Sequence, residues 1–189
     1  MGADDTCLLK AVVLIGLSRS GKTSVGERLA AILGCAFYDT DARIHVRTGL
    51  PPRVLYHSAG VQAFHDAEAA ALNECIEMAG NSPAVIAAGG GVCGNAEAAA
   101  QILTIPERIF LYAAESVLFT RLTADAVKNG TYPAFLQSLS VREKTEAAAL
   151  FSVLYRQRTA AYRTMATRIL DTGGLTIPAA AQAAELLLK

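Results

Sequence analysis

Apolar positions in this chain fall into short continuous runs separated by longer stretches of helical spacing. The run Ala11, Val12, Val13, Leu14, Ile15 is apolar throughout and rich in β-branched residues, which predicts a strand buried on both faces. Comparable runs predict strands over 35–38, 84–88, 108–113 and 167–170. After the first run, Val25, Leu29, Ile32 and Leu33 recur at helical intervals and predict a helix over 24–33, stopped by Gly34. A helical patch from about residue 42 breaks at Pro51-Pro52, and a longer one over 54–78 sets Phe64, Ala67, Ala71, Leu72, Cys75 and Met78 on related faces. Further helices are predicted over 96–103, 116–122, 141–165 and 177–188. The stretch 123–140 reads as polar and irregular, punctuated by Asn129-Gly130 and Pro133. Strands alternating with helices predict an α/β protein: a parallel sheet in three α/β/α layers, with ligands at the strand C-terminal ends.

Composition narrows this picture. The 189 residues fit one domain, and with 52% apolar and 18% charged residues they can build a proper core. Seventeen basic residues balance 17 acidic ones. No global field then recruits nucleic acid or an anionic membrane, and any anion site must be local. The four cysteines (Cys7, Cys35, Cys75, Cys93) form no CxxC pair, which reads as free thiols in a reducing cytoplasm. The apolar run 7–17 lacks a basic start and leads straight into Ser18-Arg19-Ser20, so it is not read as a signal peptide. No stretch is apolar for long enough to span a bilayer.

The chemistry starts where the first strand ends. Gly16-Leu17-Ser18-Arg19-Ser20-Gly21-Lys22-Thr23 matches G-x-x-x-x-G-K-[ST] between a strand and a helix, the context a phosphate-binding loop requires. Its glycines let backbone N–H groups turn inward around phosphate oxygens, and the helix N-terminus adds a favourable field. Gly16, Ser18, Arg19, Ser20, Gly21, Lys22, Thr23 and Ser24 form the candidate nucleotide-binding set. Lys22 is placed to neutralise the β- and γ-phosphates, and the Thr23 hydroxyl to ligate Mg²⁺. Asp39-Thr40-Asp41 follows the second strand. Two carboxylates there can divide labour, one near a metal and one accepting a proton, though aspartates also serve ordinary turns. Gly89-Gly90-Gly91 after the third strand either admits a ligand or another backbone at close range, or is a simple flexible turn.

Together these features resemble the shikimate kinase family over nearly the whole chain. The segment Phe37-Tyr38-Asp39-Thr40-Asp41-Ala42-Arg43-Ile44 is close to the family's second-strand motif, and Arg47-Thr48-Gly49 follows at the expected distance. Phe64-His65-Asp66-Ala67-Glu68 falls on its F-R-x-x-E motif. The resemblance implies a nucleoside monophosphate kinase-like P-loop fold with a five-stranded parallel sheet, an acceptor-binding segment at 39–80 and a helical lid at 123–140. It implies transfer of the γ-phosphoryl of ATP to a hydroxyl of shikimate, assisted by Mg²⁺, in aromatic amino-acid biosynthesis. By the same resemblance Asp39 joins Thr23 near the metal, and Asp41 binds the acceptor hydroxyls and acts as base beside Lys22. Gly89, Gly90 and Gly91 line the acceptor pocket, and Arg158 holds the substrate carboxylate. Arg121 sits near the adenine, with 172–178, including Pro178, as the adenine-side loop. The implied enzyme is a monomer acting on a small molecule.

Two residues depart from the family pattern. His65 stands where F-R-x-x-E has its carboxylate-binding arginine, and Tyr132 replaces the lid arginine of R-P-L-L. Neither reproduces a guanidinium's planar fork. A hydrogen bond to a charged group is worth roughly 1.5–3 kcal/mol. Two such losses correspond to a drop on the order of 10²–10⁴ in efficiency unless Arg19, Arg53 or Lys128 compensates. His65 is a substrate contact by position, a polar residue on a half-exposed helix face, or a direct catalytic base, a role that Asp41 already suits. Tyr132 either touches a ligand or is an ordinary lid tyrosine. Three functions follow: a shikimate kinase, a kinase of another small hydroxylated compound, or an ATP-binding regulator without transfer.

Overall fold

The run at 11–15 becomes β1 (Ala11–Ile15), the middle strand of a five-stranded sheet in a computed structural model that describes residues 11–130, 132, 136 and 143–189. Cys7, residues 131, 133–135 and 137–140 of the expected lid, and residues 141–142 lie outside the described residues. The other strands are β2 (Ala36–Asp39), β3 (Ala84–Ala87), β4 (Glu107–Tyr112) and β5 (Arg168–Asp171). All pairs are parallel, in the order β2-β3-β1-β4-β5. This is a P-loop α/β/α fold.

Helices cover both faces because side chains alternate along the strands. Val13 and Ile15 of β1 join the larger core, with Leu72 and Cys75 of α3 (Pro52–Asn81), Ile102 of α4 (Ala96–Leu103), Leu118 of α5 (Glu115–Asn129) and Phe151 of α6 (Lys144–Met165). Val12 and Leu14 face the other layer, where Val25 and Leu29 of α1 (Lys22–Leu33) meet Ala180, Ala181 and Ala184 of α7 (Ile177–Leu187). The small residues of α7 let it lie close against the sheet. A third cluster of Ile44, Leu55 and Ala71 docks α2 (Thr40–Thr48) on α3. That contact gives the acceptor-side segment its own apolar anchor.

Most expected elements lie within two or three residues of those observed, with three differences. Thr123–Asn129 is not irregular. It is the last part of α5, which ends only where Gly130 takes a left-handed conformation (φ 72) and donates its N–H to Ala126. Charged and polar residues there fit a half-exposed helix as well as a loop. The patch near 42 is a helix that stops at Gly49 (φ 71), before the prolines, and Pro52 is then the first residue of α3. Pro fits that position because no intrahelical donor is needed there. Finally, α3 is bent at Gly60 (φ 86, ψ 176), a conformation open in practice to glycine alone.

The bend yields a direct comparison within one helix. Gly60→Ala should destabilise the protein by about 1–2 kcal/mol in urea unfolding. Gly80→Ala, where an added methyl meets nothing within 4 Å, should stabilise it by up to about 1 kcal/mol. Equal effects from the two substitutions would mean that the backbone at Gly60 is not constrained.

Candidate active site

The loop after β1 turns through backbone angles that side chains rarely permit. Gly16 has φ 147 and Gly21 φ 99, and Arg19 (φ 67) is the only non-glycine with positive φ among the described residues. The turn aims Lys22, the first residue of α1, back across the loop. Its ammonium donates to the carbonyls of Gly16 and Leu17 at 2.9 Å each, leaving one of its three donors for a ligand. Burial lowers the Lys22 pKa to about 8, against the opposing pull of Asp41 and Asp39.

Asp39, at the end of β2, uses its two carboxylate oxygens differently. Oδ1 caps α2, accepting from the N–H of Asp41 at 2.9 Å and of Ala42 at 3.2 Å. Oδ2 accepts from Thr23 Oγ1 at 2.7 Å. Turn chemistry and candidate metal chemistry therefore reside in one side chain. A hydroxyl beside a carboxylate is an oxygen donor set that suits Mg²⁺, which usually takes one or two protein ligands plus phosphate oxygens and water. Such a site needs no dense ligand cluster, and the described residues contain no group of three or more His, Cys, Asp or Glu placed to hold a metal. Asp41 is exposed to the cavity it lines. Desolvation by the protein around it first, and the Asp39 charge second, raise its pKa above the usual carboxylate value.

Of the three glycines after β3, Gly90 is the one that space demands, because backbone lies against it. A Cβ on Gly90 would lie 2.7 Å from the Ser18 backbone nitrogen, so the glycine loop presses directly on the P-loop. On Gly89 it would lie 2.8 Å from Glu68 Oε1 and 3.2 Å from Asp41 Oδ1, and on Gly91 3.2 Å from Arg158 Nη2. Arg158, from α6, donates through Nη1 to the Gly90 carbonyl at 2.8 Å.

Three cavities lie in series. The middle one, about 430 Å³, is lined by the P-loop with Asp39, Asp41, Gly90 and Arg121. It shares Arg19, Gly21, Ser24 and Arg121 with a second of about 270 Å³, walled by Thr172, Leu175, Thr176 and Ile177. It shares Ser18, Asp41 and Gly90 with a third of about 190 Å³, which also holds Glu68, Gly89, Gly91 and Arg158. Arg121 ties the first two together, donating to the carbonyls of Arg19 at 3.2 Å and Thr172 at 3.4 Å. Ser20 is buried beneath the loop. Pro178 stands exposed in the first turn of α7, next to Ile177 but not among the residues lining the second cavity.

The two departures from the family pattern take different places. His65 is half-buried on α3 and does not line the acceptor-side cavity; its carbonyl accepts from Asn95 Nδ2 at 2.8 Å. Tyr132 requires a correction, because it is 1% exposed and packed in the larger core, not presented to any of these cavities. Its mostly apolar ring gains more from that burial than a guanidinium would. Of the proposed substitutes, Lys128 is exposed on α5 and lines none of the three cavities, Arg19 pairs with Asp125, and Arg53 lines the third.

Sequence reasoning assigned no role to Glu68 or Asn95. Glu68 is 1% exposed and accepts from Asn95 Nδ2 at 3.1 Å. Asn95 Oδ1 in turn caps α4 at the Ala98 N–H. Burial, chiefly, raises the Glu68 pKa from 4.5 to about 7. The fourth position after Phe64 was the available sign, since it falls on the same helix face.

A loop that wraps phosphates and opens onto a second, carboxylate- and arginine-lined cavity defines a P-loop phosphotransferase acting on a small molecule. The particular family is settled by likeness to known proteins. The family model described as shikimate kinase matches residues 19–188, and the chain belongs to that family. It is 30% identical to the shikimate kinase of Syntrophus aciditrophicus (strain SB) over 87% of this chain and 84% of that one. Among solved structures it is similar to the shikimate kinase of Acinetobacter baumannii in complex with shikimate, with TM-score 0.80, 26% identity and coverage of 94% and 92% of the two chains. The shikimate kinase of Bacteroides thetaiotaomicron aligns with TM-score 0.77, 25% identity and coverage of 94% and 97%. Among the described residues no helix is long and apolar enough to cross a membrane.

The raised Glu68 pKa makes stability depend on pH. Between 4.5 and about 7 the folded protein keeps a proton that the unfolded chain has released. This contribution is therefore full below about 4.5 and is lost as pH rises through 7. Glu68→Gln should lessen the fall in urea-unfolding stability between pH 5 and pH 8 by on the order of 2 kcal/mol. An unchanged fall would show that Glu68 titrates normally.

Proposed function

We propose that this protein transfers the γ-phosphoryl group of ATP to a hydroxyl of shikimate, as a step in aromatic amino-acid biosynthesis. The observation that carries this reading is the wall shared by Ser18, Asp41 and Gly90, which line both the phosphate-side and the acceptor-side cavities. Donor and acceptor then meet across that shared wall, where positioning and electrostatic stabilisation do most of the work of phosphoryl transfer.

Each residue has a task that fits its surroundings. The P-loop N–H groups and Lys22 hold the β- and γ-phosphates, and the cavity along Thr172–Ile177 receives the adenine end. Thr23 and Asp39 would hold Mg²⁺, which would supply charge neutralisation. Asp41 hydrogen-bonds the acceptor hydroxyl and takes its proton, a task suited to a carboxylate whose pKa burial has raised. Arg158, fixed by its bond to Gly90, holds the acceptor's carboxylate. Every residue named comes from one chain, so a monomer suffices.

A coupled ADP-release assay with Mg²⁺-ATP should show turnover that depends on added shikimate. Asp41→Asn should lower kcat by roughly 10²–10⁴ while ATP still raises the Tm. ADP release indifferent to shikimate, in folded protein, would overturn the proposal.

A further inference from the structure

Resting on the shikimate kinase reading, we propose that Arg53 completes the carboxylate clamp with Arg158, so that selection for an acidic acceptor sits at the start of α3 and not at position 65. The third cavity holds two guanidinium groups, Arg53 and Arg158, together with Asp41 and Glu68. Pro52, Tyr56 and Phe64 form its apolar side. His65 is not among its lining residues.

The bend at Gly60 explains how a residue twelve positions away can replace an arginine at 65. An unbroken helix would carry residues 53 and 56 about two to four turns away from residues 64 and 68 along one axis. The non-helical backbone at Gly60 (φ 86, ψ 176) divides α3 instead, and the two parts converge. Their convergence is visible in the rings of Tyr56 and Phe64, which meet edge to face at 5.6 Å. Arg53 and Tyr56 share a face of the first part, Phe64 and Glu68 a face of the second, and all four line the same cavity.

Charge argues for the same occupant. Arg158 already spends one N–H on the Gly90 carbonyl, so part of its donor fork is committed. A ligand carboxylate entering this small, partly apolar space needs further donors, and a second guanidinium provides them in matching planar geometry. The acceptor's hydroxyl edge then faces Asp41 at the boundary with the phosphate cavity, and its acidic edge lies between the arginines. The class of acceptor this selects is a compact hydroxylated acid.

Steady-state kinetics with shikimate and with its uncharged methyl ester, at saturating Mg²⁺-ATP, tests the assignment on the full chain. Arg53→Ala should raise KM for shikimate about 10- to 100-fold, change kcat by less than about threefold, and leave KM for ATP alone. Turnover of the ester should fall far less than that of shikimate in Arg53→Ala, and an ATP-induced rise in Tm equal to that of wild type shows that the variant is folded. The preference for acid over ester should therefore collapse, Arg53→Lys should restore part of it, and His65→Ala should keep it. If wild type uses shikimate and Arg53→Ala preserves the preference, or His65→Ala abolishes it, the clamp assignment falls and the kinase reading stands. If wild type does not use shikimate, the reading falls and the clamp with it.

Discussion

The site depends on keeping one ammonium group inside the protein. Lys22 is 8% exposed, and an unpartnered charge there would be too costly to keep. The P-loop turns so that the carbonyls of Gly16 and Leu17 reach the ammonium, and the charges of Asp39, at the end of β2, and Asp41, in the first turn of α2, act on it. These partners only partly offset burial, since the Lys22 pKa still falls to about 8. A buried cation with its partners held this way suits a negatively charged phosphate group.

Much of the surrounding architecture follows from holding those partners close. Asp39 caps α2 with one oxygen and accepts from Thr23 with the other, so the second strand, its helix and the P-loop are tied together. The glycine loop can lie on Ser18 because no side chain intervenes at position 90. That approach brings Arg158 and Glu68 to the edge of the phosphate cavity and joins donor to acceptor space. At the other end, Arg121 links the P-loop to the segment after β5, which sets where the nucleotide can extend.

The features legible in the sequence are those fixed by local chemistry. The P-loop, the aspartates at the end of β2 and the bounds of β1 and α4 can be read because strand, turn and cap preferences act over a few residues. Arg53, Glu68 and Asn95 were harder, because their roles depend on how distant elements converge. Nothing in the residues around Gly60 states that the helix bends there, yet that bend decides which side chains share the acceptor cavity. Tyr132 shows the opposite error, where matching a motif position suggested a ligand contact and packing made it core.

The central claim is that the phosphate-side and acceptor-side cavities form one reaction space. Incubation of the protein with γ-labelled ATP, Mg²⁺ and shikimate, followed by separation of the products, tests it most directly. The account predicts that the label is recovered in phosphorylated shikimate. Label found only in inorganic phosphate or unreacted ATP would contradict it.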